Sequence, residues 1–288
     1  MDVRLGWPRR RQRRPRPAGS GAAGPSRTSQ AVALTRAALA RPHTPAGDPR
    51  AQERLCAGMR PARLVSLRAH LAARTRFFDD QVLAAIERGT SQVVILGAGY
   101  DDRALRFRAP GVSFFEVDHP ATQADKRRRL AAVAADGAGP VLAAADFRAD
   151  DVAAVLAGCG QDPGRATLFL CEGLLVYLDA PVITGLLCGL RARAAPGSVL
   201  AASLAIHPEG ADTAAVLARA NAARRTGVTE PWRTILPAAA HLALLAAAGW
   251  LSEAAVDDAE LDSGAPPRRS LLVTARPGPA GRSRTVEA

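Results

Sequence analysis

Four short apolar runs in this 288-residue chain each end in glycine or a carboxylate. Val93-Val94-Ile95-Leu96 leads into Gly97-Ala98-Gly99-Tyr100-Asp101-Asp102. Val112-Ser113-Phe114-Phe115 leads into Glu116-Val117-Asp118. Residues 140–145 lead into Asp146-Phe147, and Thr167-Leu168-Phe169-Leu170 into Cys171-Glu172-Gly173. Closely spaced glycines let a backbone turn sharply and approach a ligand. A side chain at Gly97 or Gly99 is expected to fill the ligand's space. A carboxylate at the end of the next strand can accept hydrogen bonds from both hydroxyls of a ribose. Glu116 and Asp118 share a strand face. Asp118 is nearer the edge and takes the ribose role, which leaves Glu116 a structural one. Asp146 is suited to an adenine amino group, with Phe147 against the ring.

These residues need strands that bring their ends to one edge. Continuous apolar runs of four or five residues read as strands buried on both faces. The runs above supply four. A fifth covers residues 198–204, entered through Pro196-Gly197, a sixth starts at Trp250, and the last covers residues 270–275. Helical stretches separate them, including one from His241 to a stop at Gly249. Strand–helix alternation implies right-handed crossovers and a mostly parallel sheet, whose ligand site lies beyond the carboxyl ends of the strands. Residues 28–40 and most of 51–88 read as helices preceding the first strand. The expected organisation is a disordered Arg/Pro-rich extension over residues 1–27 and an N-terminal helical cap over 28–90. An α/β Rossmann-like domain follows over 91–277, with a loose tail over 278–288.

The glycine spacing does not complete a dinucleotide fingerprint. G-x-G-x-x-G needs a third glycine where Asp102 stands. With Asp101, that acid opposes a pyrophosphate at a helix start. A sulfonium cofactor without phosphates meets no such objection, which tilts the reading from NAD(P) to S-adenosylmethionine.

Composition excludes other classes. The formal net charge is +11, yet eight arginines and one acid lie within residues 1–27. That segment lacks stacking aromatics or a reading helix and reads as a solvated extension, which weighs against a nucleic-acid partner. Lys126 is the only lysine among 38 Lys and Arg residues, a bias that looks like coding preference. No apolar run follows the basic start as in a secretory signal, and no charge-free span suits a membrane. The four cysteines form no C-x-x-C pair, so reduced thiols and a cytoplasmic location are expected. The five histidines lack metal-ligand spacing, and no metal is expected.

In order and spacing, four segments resemble the leucine carboxyl methyltransferase family, most closely its bacterial S-adenosylmethionine-dependent branch. They are Arg74-Thr75-Arg76-Phe77-Phe78-Asp79, Val94-Ile95-Leu96-Gly97-Ala98-Gly99-Tyr100-Asp101-Asp102-Arg103, Phe115-Glu116-Val117-Asp118-His119-Pro120 and Glu172-Gly173-Leu174-Leu175-Val176-Tyr177-Leu178. The resemblance runs from about Ser29 to Val273 and implies a class I methyltransferase fold with a mostly parallel seven-stranded sheet. It implies that Arg74 pairs with the methionine carboxylate of S-adenosyl-L-methionine, that Gly97 and Gly99 form the cofactor loop and that Asp118 holds the ribose. Asp146 and Phe147 match the adenine pair, where the family more often has Asp-Leu. Glu172 matches an acid near the cofactor's amino group and the methyl-transfer centre. Asp101 and Arg103 match a pair expected to brace the loop, with Asp102 replacing the usual Thr. The basic N-terminal extension is not a family feature, and residues 206–237 carry no matching motif.

The implied reaction is in-line methyl transfer to a carboxylate or hydroxyl of a small molecule, with alignment supplying much of the rate. A hydroxyl acceptor would need a general base, and the candidates for a catalytic role are Glu172, Tyr177 and His207. The competing readings are an NAD(P)-dependent oxidoreductase and a non-catalytic nucleotide- or nucleic-acid-binding protein.

Overall fold

The computed structural model describes residues 24–60, 68–133, 139–223, 230–257 and 269–279. Expectations placed on residues 1–23 and 280–288 lie outside them. Seven strands form one sheet in the order β3-β2-β1-β4-β5-β7-β6. They are β1 (Gln92–Leu96), β2 (Ser113–Asp118), β3 (Val141–Ala144), β4 (Thr167–Cys171), β5 (Val199–Ile206), β6 (Trp250–Asp257) and β7 (Arg269–Pro277). Strands β1 to β5 pair in parallel, and β7 runs antiparallel between β5 and β6. The chain order reverses between β1 and β4, which puts the switch point at the ends of those strands.

Cover on both faces explains the continuous apolar runs of β1, β2 and β4, whereas the edge strand β3 leaves Val141 and Ala144 exposed. Val94 and Leu96 of β1 join one core with Phe115, Phe169 and Leu200. Leucines from α6 (Val152–Gly158), α7 (Ala180–Ala192) and α9 (Ala238–Ala247) cover that face. Val93 and Ile95 join the other core with Phe114, Leu168 and Leu170, against Phe78, Val82 and Ala85 of α3 (Arg68–Glu87). Side chains alternate across a strand, so a strand sandwiched between helices needs apolar residues at every position.

Among the described residues, three helices precede the sheet: α1 (Arg27–Ala37), α2 (Ala51–Leu55) and α3. The expected helix over 28–40 thus ends three residues early, while most of the described residues of 51–88 are helical, as expected. Helix α3 does two jobs, since its apolar side covers the sheet while Arg74 and Asp79 turn toward the strand ends. Between the strands lie α4 (Arg103–Arg106), α5 (Pro120–Val133) and, after β5, α8 (Thr213–Ala223). Gly249 follows α9 at φ +82°, the left-handed stop expected there. No helix among the described residues is long and apolar enough to cross a membrane.

Candidate cofactor site

The loop after β1 is stitched to β2. The amides of Gly97 and Ala98 donate to the Val117 carbonyl at 2.8 and 3.2 Å. The Gly99 amide donates to Asp118 Oδ2 at 2.5 Å, and Asp118 Oδ1 accepts from the His119 amide at 2.6 Å. Gly97 and Gly99 both have positive φ, +65° and +51°. The space a side chain would take is protein, which corrects the sequence-based reason for these glycines. A Cβ on Gly97 would meet Leu174 at 3.0 Å, and one on Gly99 would meet the Ser29 Cβ of α1 at 2.6 Å. The glycines admit close packing by two neighbouring elements.

Beside the loop lies a buried ionic cluster. Glu172, at the end of β4, receives Arg36 at 2.7 Å and Arg74 at 3.0 Å on one oxygen, and Arg103 at 2.7 Å on the other. Arg103 also holds Asp101 at 2.6 Å and Asp79 at 2.8 Å. Arg36 reaches Asp101 at 3.1 Å. Arg41 joins Asp79 at 2.8 Å to Asp102 at 2.6 Å, and Arg106 closes on Asp102 at 2.7 Å. Five arginines therefore face four carboxylates. Burial alone would raise the Glu172 carboxyl, but Arg36, Arg103 and Arg74 hold it well below the ordinary glutamate value. Arg41 and Arg106 likewise outweigh burial and lower Asp102. Both acids stay ionised and are poor proton acceptors at neutral pH.

The cluster changes one sequence argument. Asp101 and Asp102 do not face a ligand as bare charges, because arginines neutralise them. Their objection to a pyrophosphate therefore lapses as an electrostatic one. Asp101 and Arg103 do brace the loop, through each other and through the Asp101 oxygen that accepts the Arg103 amide at 2.8 Å.

Asp118 and Asp146 are different. Both are half-buried, and the Asp118 carboxylate has only the two main-chain donors as hydrogen-bond partners. Burial raises it above the ordinary aspartate value, with those two amides pulling it back. Asp146, just past β3, accepts from the Arg148 amide at 3.0 Å, and the exposed Arg148 guanidinium lies 3.6 Å from the same oxygen. Phe147 packs against the edge of the core. The three residues lie at the ends of adjacent strands, as a nucleoside would require.

The catalytic candidates divide. Glu172 is consumed by the cluster. Tyr177 lies on a 3-10 turn (Leu175–Tyr177) next to it in sequence. His207, just past β5, has Nδ1 2.8 Å from the Pro208 carbonyl and Nε2 3.0 Å from Thr213 Oγ1. Since a carbonyl can only accept, the proton belongs on Nδ1, and Nε2 accepts from the threonine hydroxyl. Neither nitrogen is left for a substrate in this arrangement.

The sequence reading missed Arg36, Arg41, Arg106 and Lys126. Arg36 and Arg41 had no local signal, because their partners are distant in the chain. Arg106 stands four residues after its partner Asp102, a spacing that could have flagged it. Lys126 also had a signal, as the lone lysine, but it passed as coding bias. Its ammonium contacts the Glu116 carboxylate and donates to the Asp101 carbonyl at 2.7 Å. Burial pushes the Glu116 carboxyl up to about 7 against the pull of Lys126.

The two ends of the site fit an adenosine joined to an amino acid. Asp118, Asp146 and Phe147 suit the nucleoside. At the other end the cations exceed the acids by one, and Arg36 Nε is buried without a hydrogen-bond partner. A ligand carboxylate would supply the missing charge.

Known proteins point the same way. The sequence model for leucine carboxyl methyltransferase matches residues 28–190. A Parafrankia protein, named provisionally as an S-adenosyl-L-methionine-dependent methyltransferase, is 44% identical over 139 residues, covering 47% of this chain and 44% of its own. A Mycolicibacterium paratuberculosis protein of the same provisional name is 35% identical over 174 residues, covering 60% and 54%. The aligned part thus spans about half the length of these curated relatives. A Thermobifida fusca structure, described provisionally as a methyltransferase, superposes with TM-score 0.56 at 16% identity, covering 90% of this chain and 97% of that one. The magnesium protoporphyrin IX methyltransferase of Synechocystis, solved with bound SAH, gives 0.51 at 15% identity, covering 78% and 92%. Both share the class I methyltransferase fold.

Proposed function

The chain belongs to the leucine carboxyl methyltransferase family, and from that premise we propose that it is an S-adenosyl-L-methionine-dependent methyltransferase acting on an oxygen of a small molecule. The observation that carries this reading is the pairing of two chemically distinct ends on one sheet edge. The half-buried carboxylates Asp118 and Asp146 suit an adenosine, and an arginine cluster short of one negative charge suits an amino-acid carboxylate. Arg74 is the cluster member with most exposure, 12%, and takes that carboxylate. Asp118 accepts from the ribose hydroxyls while keeping its bond from the Gly99 amide. Asp146 and Phe147 receive the adenine. Glu172 sets the arginines rather than moving a proton.

Bound S-adenosyl-L-methionine supplies an activated methyl group, which an acceptor oxygen takes by in-line displacement, releasing S-adenosylhomocysteine. The chain's residues orient and exclude water. Ser29 of α1 already packs on Gly99, so the N-terminal helices cover the loop and keep water from the reaction. Among the catalytic candidates, neither Glu172 nor His207 offers a free basic atom. That favours an acceptor already ionised at neutral pH, a carboxylate, over a hydroxyl that needs deprotonation.

Calorimetric titration with S-adenosylhomocysteine and, separately, with NAD tests the cofactor. Micromolar binding of the former and none of the latter is expected. Binding of NAD alone would sink the reading in favour of an oxidoreductase. A methyl-donor assay on matched small acids and phenols then tests the acceptor, with turnover of acids expected.

A further inference from the structure

Helix α5 has an unusual buried side. Thr122, Gln123 and Lys126 are each at most 2% exposed, and of the fully buried residues of α5 Leu130 alone is apolar, with Val133 half-buried beside it. A helix normally buries an apolar stripe. Here each polar group serves the frame around the cofactor loop. Thr122 Oγ1 accepts from the Ser26 amide at 3.2 Å, at the start of α1. Gln123 Nε2 donates to the carbonyls of Glu116 at 2.7 Å and Ala143 at 3.2 Å, on β2 and β3. Lys126 Nζ donates to the Asp101 carbonyl at 2.7 Å and pairs with the Glu116 carboxylate.

Lys126 is therefore tied to both sides of the nucleoside site. Asp101 follows the Gly97–Gly99 loop by two residues, and Glu116 precedes Asp118 by two on β2. A lysine ammonium is a compact point charge with three donors, which suits one carbonyl and one carboxylate approached together. The chain uses arginine at every other cationic position and lysine at this one.

Resting on the cofactor reading above, we propose that Lys126 is a positioning residue that sets the height of the 99–101 loop against Asp118 and so determines affinity for the cofactor's nucleoside. The alternative is that Lys126 only neutralises Glu116. The two differ in what a charge-neutral replacement restores. Lys126→Met leaves Glu116 buried without its cation, and both stability and binding should fall. Adding Glu116→Gln removes the lone charge, and replacement of a buried ion pair by neutral groups is often tolerated. The Asp101 carbonyl still lacks its donor.

The experiment measures S-adenosylhomocysteine affinity by calorimetry, the thermal midpoint and amide hydrogen exchange at residues 97–101. The wild type, Lys126→Met and the double variant Lys126→Met/Glu116→Gln are compared. The expected result is a double variant whose midpoint returns to within a few degrees of wild type. Its affinity should stay at least tenfold weaker, and its loop amides should exchange at least tenfold faster without ligand. Recovery of affinity together with the midpoint would overturn the proposal. So would wild-type affinity and exchange in Lys126→Met. A wild type that binds no S-adenosylhomocysteine would overturn the cofactor reading itself. That failure is recognisable because it appears before any substitution is made.

Discussion

The carboxylates at the strand ends fall into two groups that the sequence does not separate. Asp79, Asp101, Asp102 and Glu172 are buried among five arginines. Asp118 and Asp146 are half-buried and accept from main-chain amides, and Asp146 has in addition only a long, solvent-exposed pairing with the Arg148 guanidinium at 3.6 Å. The first group ties α1, α3 and the 36–41 region to the sheet. The second is the group we propose for the ligand. An acid at the edge of a parallel sheet is thus no guide to function until its counter-charges are known. A carboxylate buried among guanidinium groups is spent on the fold, and one held by amides at the surface can still accept.

The largest expected effect breaks the first group. Glu172→Gln leaves Arg36, Arg74 and Arg103 without their shared counter-charge. Removing one partner from a buried ion pair costs about 3–5 kcal/mol, so urea unfolding should shift by that amount. An unchanged midpoint would deny the group its structural role. Acid should act on the same group. Glu172 and Asp102 are lowered from 4.5 and 3.8. Their contribution is complete above those values and is lost as pH falls through the lower folded values. Each unit of depression is worth about 1.4 kcal/mol. Glu116 has the opposite sign. Raised from 4.5 to about 7, it favours the fold most below 4.5 and less as pH rises toward 7. Stability measured from pH 7 to 3 should therefore rise as pH falls toward about 4.5, then drop steeply below about 4. A monotonic decline from pH 7 would contradict the Glu116 assignment.

A smaller effect tests the packing between loop and cap. Gly99→Ala introduces a Cβ 2.6 Å from the Ser29 Cβ at φ +51°. Left-handed backbone costs an L-residue about 1–2 kcal/mol, and the contact should displace α1. Faster amide exchange across residues 27–37 is the expected signature. The smallest effect sharpens the second group. Asp146→Ala should leave unfolding within about 0.5 kcal/mol, as for an ordinary surface substitution. It should weaken S-adenosylhomocysteine about tenfold, equivalent to about 1.4 kcal/mol. Equal losses of stability and affinity would move Asp146 into the first group.

The central strands were legible because burial on both faces leaves a local pattern, as in Val93-Val94-Ile95-Leu96, whereas the edge strands β3 and β6 are largely exposed. The glycine loop, Asp118 and the four family segments were legible for the same reason, since each is contiguous. The arginine cluster was not. Arg74 and Glu172 meet across 98 positions, and Arg36 and Asp101 across 65. Ion pairs at such distances have no periodicity to read. Helix α4 is a four-residue turn, too short for one. The buried face of α5 was hidden for another reason. Its polar residues look like a solvated helix, and only the fold shows that Thr122, Gln123 and Lys126 point inward.

The division between the two groups is tested most directly by titrating S-adenosylhomocysteine into Asp118→Ala. The account predicts a folded protein, with a thermal midpoint within several degrees of wild type, whose affinity is at least 100-fold weaker. Wild-type affinity in that variant would contradict the assignment of Asp118 to the ligand.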